Sequence, residues 1–269
     1  MQATLPIFFV PHGAPTFALR PGAAGAAMAA AASALPRPRA ILIVSPHWET
    51  AVATVGFAER PEILYDFGGF PQELYTLRYP ATGCPEAATQ VVDAIAAAGL
   101  PVRQDPHRGL DHGAWVPLRL MFPDADIPVI PISLPSQGGP RQALALGQAL
   151  APLVEKGFLL IASGNLTHNL RDYQIVRQSG GQTPAYVRGF ADWLADRMRS
   201  GDREALLDYR QQAPDAVRAH PSDEHLLPLY VALGAAGEGA DVTRIHAGID
   251  DYVLAMDAYT LLPKQRAHQ

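Results

Sequence analysis

Histidine is the residue type whose placement carries chemistry in this sequence. Nine are present, and five of them follow an apolar run or sit in a Gly- and Pro-rich turn. His12 comes directly after the run IFFV, in V-P-H-G-A-P, and His47 directly after AILIVS, in S-P-H-W-E. His168 follows FLLIAS, in S-G-N-L-T-H-N-L. His112 lies in G-L-D-H-G-A-W, and His225 in H-P-S-D-E-H-L-L-P, at the head of a helix predicted over 223–233. A cluster of neutral imidazoles suits zinc or ferrous iron, and an imidazole pKa near neutrality suits proton transfer. A lone histidine after a strand is more often a hydrogen-bonding turn residue than a ligand. Three apolar runs each delivering one at the same edge is not explained by packing, because a buried imidazole needs two hydrogen-bond partners. His107 in a polar loop, His246 in the alternating run T-R-I-H-A-G and His268 in the tail lack this context.

The elements that must position these residues follow from periodicity. Short apolar runs alternate with helix-length segments, which predicts an α/β fold. The expected architecture is a single domain over 1–269: a central mixed β-sheet flanked by helices, with the active site at the carboxyl ends of strands. Strands are predicted at 5–10, 40–45, 52–57, 129–134 and 158–163. Helices are predicted at 22–35, 85–98, 141–156, 184–200 and 223–233, with Pro85, Pro184 and Ser222 as start signals. The segment 58–83, rich in Pro, Gly and aromatics, exceeds an ordinary connection and reads as a functional loop. From it, Phe67 and Phe70 are candidate substrate contacts, with Tyr75 and Tyr79 as further wall candidates. Asn165 and Asn169 are candidates to orient His168 or to bind a substrate oxygen, although Asn in a turn commonly serves the turn itself.

Composition closes off other classes. Twenty-one basic against 26 acidic residues give a net charge of −5, and no basic run occurs, which argues against nucleic acid or an anionic membrane as partner. The uncharged Ala-rich stretch 22–35 is too short to span a bilayer. A single cysteine, Cys84, cannot form an internal disulfide and reads as an inert small residue, so a reducing compartment, the cytoplasm, is expected.

As an ordered set, FFVPHGAPTFAL, AILIVSPHWET, YDFGGFPQELYTLRYPATG, GLDHGAWVPLRLMFPDADIPVIPISL, IASGNLTHNL and AHPSDEHLLPLYVALGAAG resemble the class III extradiol ring-cleaving dioxygenases, in the branch named for 4,5-DOPA dioxygenase. The resemblance runs from residue 8 to residue 237. It implies an α/β fold, one divalent non-haem metal ion (Fe(II) for activity, or Zn(II) as bound) and cleavage by O₂ of a carbon–carbon bond beside the hydroxyls of a small catechol, DOPA-like or related, to a semialdehyde. By position, His12, His47 and His225 match the metal ligands. His168 matches the acid/base histidine beside substrate and dioxygen, and His112 a further active-site histidine. Three departures bear on substrate identity: Gly68 stands where the family's D-F-Y-G-F-P has Tyr, Pro131 where a polar residue is common, and Asp257 where Ser is usual.

The chemistry matches the residue types. Three protein ligands on one face leave positions for catechol and O₂, as in facial-triad oxygenases. Three imidazoles in place of two and a carboxylate leave the site one unit more positive, which favours a catecholate dianion. Protons must leave the catechol and one must return as the dioxygen bond breaks, so His168 and His112 are the expected acid/base groups. The alternatives are a three-His zinc hydrolase with Glu49 or Glu224 as base, and a non-catalytic metal-binding relative. Glu224 is also the rival third ligand. The expected partners are catechol and O₂, in a monomer or small homo-oligomer.

Overall fold

In a computed structural model, residues 4–264 are described. Ten strands alternate with helices: β1 Ile7–Pro11, β2 Ala40–Thr50, β3 Ala53–Gly56, β4 Val102–Asp105, β5 Val129–Pro135, β6 Phe158–Gly164, β7 Asp241–His246, β8 Ile249–Asp250, β9 Leu254–Ala255 and β10 Ala258–Leu262. The helices are α1 Gly22–Ser33, α2 Pro85–Ala97, α3 His112–Met121, α4 Gly139–Glu155, α5 Leu170–Ser179, α6 Ala185–Ser200, the short α7 Arg203–Leu207, α8 Tyr209–Gln212 and α9 Ala216–Ala219, and α10 Leu227–Ala236. Eight strands form one sheet in the order β4-β3-β5-β2-β6-β1-β10-β7, and β8 and β9 form a separate hairpin. The centre, β5-β2-β6-β1, is parallel, while β10 and β7 add antiparallel at one edge. The sheet is mixed, as expected.

Every residue of β1, β5 and β6 is buried, the signature of strands covered by helices on both faces. α4 and α10 pack together and over β6, and α3, paired with α1, packs over β2 and β6. The approach of α4 to α10 depends on glycine. A Cβ at Gly147 would lie 2.1 Å from the Val231 carbonyl oxygen, and one at Gly234 2.1 Å from that of Leu144.

Several boundaries differ from the sequence reading. β2 does not stop at Ser45 but runs to Thr50, with a register shift against β5 between Ser45 and Glu49. Pro46 cannot donate to the ladder, so the chain bulges there and resumes pairing beyond. The last long helix starts at Leu227, not at 223. Ser222 does not cap it; instead the Leu226 and Leu227 amides donate to the Asp223 carbonyl in a preceding turn. β4, β7, β8, β9, β10, α3, α5 and the short α7, α8 and α9 are additions to the predicted set. No helix among the described residues is long and apolar enough to cross a membrane.

Candidate active site

Three adjacent central strands deliver histidines at their carboxyl ends. His12 follows β1, His47 rides on the bulge of β2, and His168 ends the turn after β6. His112 opens α3, whose N-cap Asp111 accepts from the Ala114 amide. His225 sits in the turn before α10, held by the Asn165 amide, which donates to the His225 carbonyl. Two glycines permit the convergence. A Cβ at Gly113 would meet Ser45 Oγ at 2.3 Å and the His47 ring at 2.9 Å, and one at Gly164 would meet the His225 carbonyl at 2.4 Å.

All five histidines line one cavity of about 910 Å³. The ring of His12 lies 5.1, 5.5 and 5.3 Å from those of His47, His112 and His225, and His47 lies 4.1 Å from His112. His168 stacks on His225 at 3.5 Å with the planes 5° apart. Possible ligand atoms of His12, His47 and His112 lie within 4.8 Å of one another, as do those of His168, Glu224 and His225.

In four of these rings Nδ1 faces an oxygen, His112 Nδ1 lying 3.0 Å from Asp66 Oδ1. His12 Nδ1 is 3.1 Å from Ser163 Oγ, His47 Nδ1 3.6 Å from Asp66 Oδ2, and His225 Nδ1 2.9 Å from Glu224 Oε1. With Nδ1 hydrogen-bonded in His12, His112 and His225, Nε2 is the free ligand atom of those rings, while the His47 contact is beyond hydrogen-bond reach. The Nε2 atoms of His12 and His47 are 3.2 Å apart, and Nε2 of His225 is buried without a hydrogen-bond partner. Either group, His12 with His47 and His112 or His225 with His168 and Glu224, has the donor chemistry to hold a cation, and an oxygen behind a ring is the usual outer shell of a His-bound metal. Burial, then neighbouring imidazoles, hold His12 and His225 well below the ordinary histidine pKa. Burial brings His47 to about 4, and His168 to about 4 against the raising effect of Glu224. Burial thus holds His12, His47, His168 and His225 toward the neutral form that ligation requires.

The remaining candidates separate. Phe67 and Phe70 line the cavity, with the Phe67 ring 5.6 Å from His112. Tyr75 supports Phe67 from behind at 5.2 Å, and Tyr79 is buried away from the cavity. Asn165, read from sequence as a substrate contact, does not line the cavity. It is fully buried, with its side-chain amide donating to Met256 Sδ, because the turn after β6 folds inward to meet His225. Asn169 caps α5 by accepting from the Asp172 amide. The departures at Gly68, Pro131 and Asp257 all lie off the cavity wall. Pro131 lacks an N–H, and β5 pairs with β3 only at Val55↔Ile132; Asp257 is buried in an ion pair with Arg244.

Sequence reasoning missed Asp66, Ser163 and His220. Asp66 Oδ1 accepts from both the backbone amide and Nδ1 of His112, at 2.9 and 3.0 Å. Burial raises its pKa, but the hydrogen bonds and charge of His112 outweigh this and hold it at about 2. His220 is fully buried and donates from Nε2 to the Leu166 carbonyl, bracing the turn that carries His168. The available signal was position: Asp66 stands in Y-D-F-G-G-F-P and His220 five residues before His225.

Residues 22–252 match the family model described as the catalytic LigB subunit of aromatic ring-opening dioxygenase. The chain is 42% identical over 224 residues to a Beta vulgaris protein named 4,5-DOPA dioxygenase extradiol, covering 83% of this chain and 82% of that one. It is 35% identical over 261 residues to the protein of the same name from Escherichia coli strain K12, covering 94% and 93%. A crystal structure of an uncharacterized Escherichia coli K12 protein superposes with a TM-score of 0.80 at 30% identity, covering 95% of this chain and 99% of that one. The five-histidine cavity at the strand ends therefore sits in a member of the LigB family of aromatic ring-opening dioxygenases, and the chain is an extradiol ring-cleaving dioxygenase, an oxidoreductase.

Proposed function

We propose that this protein cleaves the ring of a small catechol, DOPA-like or related, with O₂ to a semialdehyde, using one divalent ion held by Nε2 of His12, His47 and His225. What supports the ligand set is the 3.2 Å approach of Nε2 of His12 and His47 together with the buried, unpartnered Nε2 of His225, whose ring lies 5.3 and 5.1 Å from theirs. Ferrous iron, when bound there, supplies the electronic link between catecholate and triplet O₂ that the two lack alone.

The protein's own groups do the rest. His112 is fixed by Asp66 through Nδ1, so its Nε2 is free to take a proton from a catechol hydroxyl. His168, stacked on His225 and facing the cavity, holds the second acid/base position. Phe67 and Phe70, packed edge to face at 5.5 Å, supply an apolar corner for the ring and exclude water from it. The sequence offered Glu49 or Glu224 as the base of a zinc hydrolase. Both are absent from the cavity wall, and Glu224 is engaged with His225. The test is anaerobic loading with Fe(II), then air and a panel of catechols. Oxygen uptake with a yellow product is expected; no uptake with any of them refutes the reading.

A further inference from the structure

At about 910 Å³ the cavity reaches the upper end of the range for small-molecule sites, far beyond what a catechol ring needs. Beyond the histidines and phenylalanines its wall carries Arg20, Arg177, Asp250 and Asp251. None of these four makes an ion pair among the described residues. Arg177 only reaches the Tyr173 hydroxyl, at 3.4 Å.

The two carboxylates come from the β8–β9 hairpin, which is held in an uncommon backbone. Asp251 and Tyr252 have φ of 48° and 65°, the left-handed region that a side chain as bulky as Tyr seldom occupies. Strain of this kind persists only where surrounding structure imposes it, and it clusters at ligand sites. The hairpin's far strand is anchored by Thr167, which is fully buried. Its hydroxyl donates to the Val253 carbonyl at 2.7 Å and accepts from the Ala255 amide at 2.8 Å. Thr167 immediately precedes His168, whose own amide donates to the Ala219 carbonyl. One buried hydroxyl thus clamps the hairpin to the turn that presents His168.

We propose that the hairpin is the specificity element of this site: Asp250 and Asp251, with Arg20 and Arg177 on the same wall, bind the charged side arm of a substituted catechol, and Thr167 is the positioning residue that sets this arm-binding wall relative to His168. Guanidiniums select an anionic group on the arm and the carboxylates a cationic one, while the ring is left to the histidines and phenylalanines. The inference rests on the catechol reading of the cavity.

The test compares bare catechol, 3-(3,4-dihydroxyphenyl)propionate and dopamine. Binding to the Zn(II)-loaded protein is measured by calorimetry, and turnover with the Fe(II)-loaded protein by oxygen uptake. Both armed catechols bind the unmodified protein more tightly than catechol does. Arg177→Gln lowers the propionate-to-catechol affinity ratio about fivefold and Asp251→Asn the dopamine-to-catechol ratio about fivefold, the scale of one partly exposed charge pair. Thr167→Val, which keeps shape but loses both hydrogen bonds, lowers kcat for the armed substrates more than for catechol, and Thr167→Ser restores it. Equal affinity for all three ligands, or variants that shift armed and bare catechols by the same factor, overturns the proposal. Selective binding without oxygen uptake by any of them upholds the specificity wall and refutes the dioxygenase reading instead.

Discussion

Removing the carboxylate behind His225 isolates what that residue contributes to metal binding. Glu224 Oε1 lies 2.9 Å from His225 Nδ1, with the Glu side chain 22% exposed and the His side chain 6% exposed. A hydrogen bond to a charged group in such a setting is worth about 1.5–3 kcal/mol. Each 1.4 kcal/mol is tenfold in affinity, so Glu224→Ala should weaken divalent metal binding by about 10–100-fold, the range typical of lost outer-shell partners. Glu224→Gln keeps an oxygen that accepts from Nδ1 but not the charge, and should fall between. His225→Ala, which deletes the donor itself, should exceed both. The assay is competition for Zn(II) against a chelator of known affinity, run on all three variants at pH 7. If Glu224 were itself the ligand, Glu224→Ala would match or exceed His225→Ala and Glu224→Gln would not recover. That order of affinities, or an unchanged affinity in Glu224→Ala, refutes the outer-shell assignment.

Other consequences follow from the same geometry. His168→Gln should lower turnover by about 10²–10⁴-fold while metal content, read by elemental analysis, stays near that of the unmodified protein; loss of metal along with activity would make His168 a ligand. His220 should make the metal-free protein acid-sensitive. Burial lowers its folded-state pKa to about 4, so the unfolded chain takes the proton first as pH falls from about 6.5. Its contribution of roughly 3 kcal/mol is therefore present above that pH and lost on the way down to about 4. Urea unfolding of His220→Gln should show a shallower loss between pH 7 and 4.5, and an unchanged slope would contradict this. Gly147→Ala pits helix propensity, about 1 kcal/mol in favour of Ala, against a Cβ 2.1 Å from the Val231 carbonyl. The clash should win, lowering Tm by several degrees, and a higher Tm would refute the close-packing argument.

Much of the fold was legible because its central strands are locally unambiguous. AILIVS, VIPISL and FLLIAS are short, continuous apolar runs, the first two rich in β-branched residues, as strands covered on both faces carry. The elements that escaped lack such a signal. β4 (VRQD) and β7 (DVTRIH) are largely exposed edge strands with half-polar sequences. α5 buries only Val176 and so carries almost no apolar stripe. α3 begins with His-Gly and contains Pro117, which reads as a turn until Asp111 caps it and the core covers it.

For the site, sequence determined that His12, His47 and His168 each follow an apolar run, because position relative to that run is local, whereas the sheet order that makes those runs neighbours is tertiary. Sequence also left the partners of those rings open. Ser163 lies 151 residues from His12, Asp66 reaches His112 across 46 residues, and Thr167 holds a hairpin 86 residues away. Which oxygen stands behind which imidazole depends on the strand order β2-β6-β1 and on the turn that carries His225 back over Gly164. Periodicity reports how a segment is buried, whereas a hydrogen bond between distant segments exists only once the sheet has brought them within 3 Å.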